Sequence, residues 1–234
     1  MPHETRVVAG EVTLAVKTWP GEAVRHPAVV LLPATGETAD DWDVVAPALA
    51  ATRTVHAVNL RGHGPSDWPG WYSIRLLADD VLGLLPQLAD RPVDLVAHSL
   101  GGLVACAAAA ERPDLVGRLV LEDVGLLHPR PAAMPARPAG PLAFDWRMVE
   151  QVRPEIDTPD PGWPDVVAAI RARTLVIGGG PSSHVPQEHV ADLARTLVDG
   201  RLVTIDAGHL VHATRPQDFL RVLQTFLDGE DAAA

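Results

Sequence analysis

Val96-Ala97-His98-Ser99-Leu100-Gly101-Gly102 follows the largely apolar run Val93 to Val96 and leads directly into the Ala-rich stretch Leu103 to Ala110. A strand, a serine hemmed by small residues and then a helix form a nucleophile elbow. So tight a strand-to-helix turn holds Ser99 in a strained backbone conformation with its hydroxyl above the sheet. Large side chains two residues away on either side would collide with the chain, and Ala97 and Gly101 are both small. The spacing is Ala-x-Ser-x-Gly in place of the commoner Gly-x-Ser-x-Gly. Taken alone, Ser99 could equally be an ordinary helix N-cap.

Outward from the elbow, strand-like and helix-like segments alternate, the mark of a mostly parallel sheet with helices on both faces. Val12 to Trp19 alternates as an edge strand, and Ala28 to Leu32 is a continuous apolar run suited to a buried parallel strand. Asp40 to Ala51 carries Trp42, Val45 and Leu49 at helical spacing. Thr54 to Leu60 reads as a strand, and Ser73 to Ala89 as a helix with Leu76, Leu77, Val81 and Leu84 inward. Beyond the elbow helix comes strand Leu119–Leu121, and then the rhythm breaks. Prolines crowd Leu127 to Pro164, so long regular elements are not expected there and only Phe144 to Arg153 suits a short helix. Strand Thr174–Ile177, helix Gln187–Leu197, strand Leu202–Ile205 and helix Gln217–Leu227 resume the pattern. The expectation is one α/β domain over 1–234 with an insertion at about 125–165.

Composition bounds the function. The 234 residues suffice for a substantial core, and a net charge of −11 argues against nucleic acid or an anionic membrane as partner. No apolar stretch approaches the roughly 20 residues that span a bilayer. The polar, mixed-charge stretch Met1 to Glu11 does not fit a secretory signal, so a cytoplasmic location is expected. Cys106 is the single cysteine, which leaves no intramolecular disulfide. No His/Asp/Glu cluster has ligand spacing, so neither a metal nor another cofactor is expected. Gly178-Gly179-Gly180 lacks the Lys-Ser/Thr of a phosphate loop and reads as a tight turn.

The ordered landmarks Leu31-Leu32-Pro33-Ala34-Thr35-Gly36, Asn59-Leu60-Arg61-Gly62-His63-Gly64-Pro65-Ser66, His98-Ser99-Leu100-Gly101-Gly102, Leu119-Val120-Leu121-Glu122-Asp123, Thr174-Leu175-Val176-Ile177-Gly178 and Ala207-Gly208-His209 resemble the α/β-hydrolase family over almost the whole chain. The resemblance implies an eight-stranded, mostly parallel sheet, with the Pro-rich insertion as a short lid. It also implies a triad in the order nucleophile, acid, histidine, with Ser99 as nucleophile and His209 as base. His212 is the spare base, whereas His63 and His98 read as structural. Backbone N–H groups of Leu100 and Thr35 would form the oxyanion hole.

The acid departs from the family pattern. Many relatives place an Asp after the strand equivalent to Thr174–Ile177, four residues before a proline. Here that position is Ser182, and Gly178 to Val185 contains no carboxylate. A subset of the family takes its acid from the preceding strand end, here Glu122-Asp123. Asp123 matches best, Glu122 is the alternative, and Asp206 reads as a loop residue. The implied activity is hydrolysis of a carboxylic ester, thioester or lactone through an acyl-enzyme, on a small-molecule acyl substrate. Phe144, Trp146 and Trp163 are candidates to line its pocket. Activities of relatives with an Asp nucleophile are disfavoured, since position 99 is Ser. A non-catalytic binding protein of the same fold stays open because of the missing acid.

Overall fold

The structure, a computed structural model, describes residues 1–229, so 230–234 of the expected domain lie outside the described residues. In chain order the strands are β1 (His3–Ala9), β2 (Val12–Trp19), β3 (Val29–Leu32), β4 (Val55–Val58), β5 (Val93–His98), β6 (Val116–Glu122), β7 (Arg173–Gly178) and β8 (Gly200–Thr204). The helices are α1 (Ala46–Leu49), α2 (Ile74–Leu88), α3 (Leu100–Glu111), α4 (Trp146–Asp157), α5 (Trp163–Ala168), α6 (Gln187–Thr196), α7 (Val211–Thr214) and α8 (Pro216–Leu227). One eight-stranded sheet runs in the order β1-β2-β4-β3-β5-β6-β7-β8. Its β1–β2 and β2–β4 pairs are antiparallel, and every other pair is parallel.

Every residue of β3, β4 and β5 is buried, as central strands covered on both faces require. One core joins Leu77, Leu84, Val104 and Leu193 from α2, α3 and α6 to one face of the sheet. The other gathers Trp42, Leu49, Phe219 and Leu223 beneath the opposite face. Cys106 is buried in α3. No helix among the described residues is long and apolar enough to cross a membrane.

Three expectations are corrected. Val12–Trp19 is not the edge strand, because His3–Ala9 pairs outside it along its whole length. Those seven residues are mostly exposed, so they carry no apolar alternation to read. The helix expected over Asp40–Ala51 splits into a 3₁₀ turn (Ala39–Val44) and the single-turn α1, because the Pro47 ring blocks the helical carbonyl four residues earlier. Trp42, Val45 and Leu49 are nonetheless buried as expected, and in α2 Leu85 is buried where Leu76 is only partly so. Between β6 and β7, finally, there are two helices. Asp145 caps α4 by accepting the Arg147 N–H at 3.0 Å. Pro154 falls late in α4, where the apolar stripe Val149, Val152 and Ile156 supplies packing that outweighs one lost backbone bond. Pro164 stands in the first turn of α5, where its missing N–H costs nothing.

Candidate active site

The parallel ladder continues one residue past the strands. Ser99 N–H donates to Glu122 O at 3.1 Å and Asp123 N–H to Ile177 O at 2.7 Å. Ser99 and Asp123 therefore sit side by side, at the tips of adjacent strands. They are also the two non-glycine residues with positive φ among the described residues, at 51° and 48°. Such backbone costs of order 1–3 kcal/mol and persists where the surroundings enforce it. For Ser99 the enforcement is packing: a Cβ on Gly101 would lie 2.6 Å from Pro33 O, so the start of α3 presses directly on the loop after β3. The small residue expected at 101 is thus required.

Asp123 is fully buried, and its carboxylate collects four donors. Oδ1 accepts the Gly179 N–H at 2.9 Å and Gln187 Nε2 at 3.1 Å, while Oδ2 accepts His209 Nδ1 at 2.7 Å and the Ser183 hydroxyl. Burial alone would raise the pKa of the carboxyl. The bonds from His209, Ser183, Gly179 and Gln187 outweigh it and hold Asp123 below the usual carboxylate range. Sequence reasoning missed Ser183 and Gln187 as supports, and read the triple glycine only as a turn. Gly179 must lack a side chain, since a Cβ there would meet Gly208 O at 2.1 Å. Ser182, at the family's usual acid position, bonds Asp206 at 3.2 Å, away from the buried acid.

Glu122 points elsewhere. It accepts both the backbone N–H of His212 at 2.8 Å and its ring Nδ1 at 2.8 Å, with neither residue exposed. The other ring nitrogen lies 2.9 Å from Asp41 Oδ2, an ion pair too bent for a good hydrogen bond. Burial disfavours the cation, but Glu122 and Asp41 push the pKa of His212 up to about 10, and Trp42 stacks on the ring at 4.4 Å. His212 is therefore a buried imidazolium whose two ring nitrogens both face carboxylates, so it is not free to act as the spare base. His98, also buried, donates from Nε2 to the backbone carbonyl of His209 at 2.9 Å and faces Glu37 Oε2 at 3.3 Å with Nδ1. Asp41, His98 and His212 bring donor atoms within 4.8 Å of one another, a cluster that sequence spacing gave no hint of. Each imidazole nitrogen there already faces an oxygen, so the group reads as an ion-pair network in place of a metal centre.

Behind Thr35, His63 is buried and holds the loop. Its Nε2 accepts the Gly36 N–H at 3.1 Å and its Nδ1 donates to Arg61 O at 3.1 Å. That pattern needs the neutral ring, and burial lowers the pKa to about 4. A cavity of about 610 Å³ opens over the strand tips. Thr35, Ser99, Leu100, Asp123 and His209 all line it, together with Phe144 and Trp146 from the segment between β6 and β7. Trp163 does not line it; that ring is buried in the core. The His184 ring lies 4.2 Å from that of His209, tilted at 55°, its pKa lowered by burial and by its neighbour's charge.

Comparison with known proteins identifies the fold family. Residues 27–161 match the model of the α/β hydrolase fold. An esterase of Mycobacterium tuberculosis is 30% identical across 97% of this chain and 90% of its own. An sn-1-specific diacylglycerol lipase of Mus musculus is 29% identical across 86% and 81%. A hydrolase from Pseudomonas aeruginosa superposes with a TM-score of 0.83 at 26% identity, covering 96% of this chain and 98% of that one. An enol-lactonase from Burkholderia xenovorans shares the fold with a TM-score of 0.85 at 22% identity, over 96% and 100%. By sequence and by architecture, the chain belongs to the α/β-hydrolase fold family.

Proposed function

We propose that this protein is a serine hydrolase that cleaves a carboxylic ester, thioester or lactone through an acyl-enzyme, with Ser99, His209 and Asp123 as its triad. Ester hydrolysis in general follows from the family and from relatives that are esterases and lipases. The finer reading is carried by one observation: an ionised, buried Asp123 bonded to His209 at 2.7 Å, beside a strained Ser99 on the same cavity.

In this reading His209 Nε2 removes the Ser99 proton as Oγ attacks the acyl carbon. Asp123 holds the ring in the tautomer with Nδ1–H and stabilises the imidazolium that forms. The N–H groups of Leu100, at the start of α3, and of Thr35 receive the oxyanion, aided by the helix terminus. His209 then protonates the departing alcohol or thiol, and water releases the acyl group by the reverse sequence. The segment at about 125–165 serves as the lid, since Leu126, Phe144, Trp146 and Val149 form a wall of the cavity. The binding-only reading rested on the acid missing after β7, and Asp123 fills that role from β6. A fluorophosphonate probe should label Ser99. Ser99→Ala should lose several orders of magnitude in turnover with its melting temperature unchanged. Undiminished esterase activity in Ser99→Ala would exclude the reading.

A further inference from the structure

The inner face of α4 is apolar at Val149, Val152 and Ile156, spaced to form one stripe along the cavity. Arg153 shares that face and also lines the cavity, where a guanidinium among aliphatic side chains needs a reason. Arg130, from the irregular stretch before α4, lines it too. Both side chains grip Asp157, which is only 2% exposed. Arg130 donates through Nε to Oδ1 at 2.6 Å, and Arg153 through Nε to both oxygens at 2.9 Å. Asp157 also accepts the Ala133 N–H at 3.0 Å, so the carboxylate is saturated and the two arginines are pinned.

Two cations facing one carboxylate leave a surplus positive charge. Each guanidinium uses Nε alone, and its Nη nitrogens bond nothing among the described residues. The other carboxylates lining the cavity are already engaged, Glu37 with His98 and Asp123 with His209. The charge also lies on the same cavity as the chemistry, since Arg130 and Arg153 line it together with Ser99 and His209. A fixed planar fork with free N–H groups is the geometry that recognises a carboxylate. We propose that this cavity takes esters or lactones bearing a second, ionised carboxylate, held by the free ends of Arg130 and Arg153.

The proposal rests on the hydrolase reading above, and its test separates the two. Two matched pairs of esters differ in one carboxylate. Mono-p-nitrophenyl glutarate against p-nitrophenyl pentanoate places the carboxylate on the acyl side; 4-acetoxybenzoate against phenyl acetate places it on the alcohol side. In at least one pair the anionic ester should have the higher kcat/KM, by about tenfold, after correction for the spontaneous rate. That ratio should fall toward one in Arg153→Gln or Arg130→Gln and recover in part in the matching Lys variant. Because it is a ratio within each variant, general damage to the enzyme cancels. The preference should also shrink between 20 mM and 500 mM salt, since both arginines are partly exposed. If neutral esters are hydrolysed and Ser99 is labelled, but neither pair favours the anion, the carboxylate site is overturned and the hydrolase reading stands. If no ester is cleaved and Ser99 is not labelled, both fall.

Discussion

Replacing Glu122 by Gln separates the two neighbouring carboxylates at the tip of β6. Glu122 is fully buried and is one of the two counter-ions that raise His212 from 6.5 to about 10. At about 1.4 kcal/mol per unit, that shift represents on the order of 4–5 kcal/mol favouring the buried cation, shared with Asp41. Removing one partner of a buried pair costs about 3–5 kcal/mol, but His212 can shed its proton and so limit the loss. About 3 kcal/mol is the expected outcome, or a fall of roughly 6–12 °C in Tm for a chain of this size. The pH dependence carries the sign. His212 has a raised folded pKa, so its contribution is complete below pH 6.5 and fades as pH rises through about 10. The wild type should therefore lose stability between pH 7 and 10, and Glu122→Gln should show a much weaker decline over the same range. Circular dichroism melts at pH 6, 7.5 and 9 measure both effects. Activity at 20 °C should stay within about tenfold of wild type, because His209 is gripped by Asp123 and not by Glu122. A Tm within 2 °C of wild type, with the same pH slope, would refute the account of His212 as a buried cation.

Asp123→Asn should lower kcat on the order of 10⁴, since the amide favours the wrong tautomer of His209; near-full activity would remove Asp123 from the triad. Thr35→Ala should keep most activity, whereas Thr35→Pro should lose about 10²–10³ in kcat by deleting one oxyanion donor. Equal damage from both would move the function to the hydroxyl. His63, held neutral by burial with a folded pKa of about 4, makes the native state bind fewer protons than the unfolded chain between pH 4 and 6.5. Stability should then fall on acidification through that window, and His63→Gln should flatten the slope by about 1.4 kcal/mol per pH unit in denaturant titrations.

Local stereochemistry is what the chain spells out most plainly. Ser99 was legible because the elbow is written in consecutive residues, with Gly101 as its steric condition. Asp123 was preferred to Glu122 only through the resemblance to a subset of the family that takes its acid from this strand end, with the residue just past the strand as the best match. The difference lies in where the two residues point, Asp123 to the loop after β7 and Glu122 to His212. Ser183 and Gln187 could not be read as supports, because they lie 60 and 64 positions from the carboxylate they serve. β1 was missed since an exposed edge strand need carry no apolar pattern. The helix after Asp145 was foreseen roughly, at Phe144–Arg153, but its extension past Pro154 depends on tertiary packing.

In the proposed triad, an acid at the tip of β6 has a mechanical consequence. Ser99 and Asp123 ride on neighbouring strands joined by backbone bonds, so their separation is fixed by the interstrand repeat of about 4.8 Å. Of the three proposed triad members only His209 is carried on a loop, between β8 and α7. Warming that loosens loops before the sheet will thus spoil the alignment at a single joint. Inactivation below the melting temperature becomes a readout of the motion of that joint, and a cross-link bracing it to the sheet would extend the working range of the enzyme without touching its core.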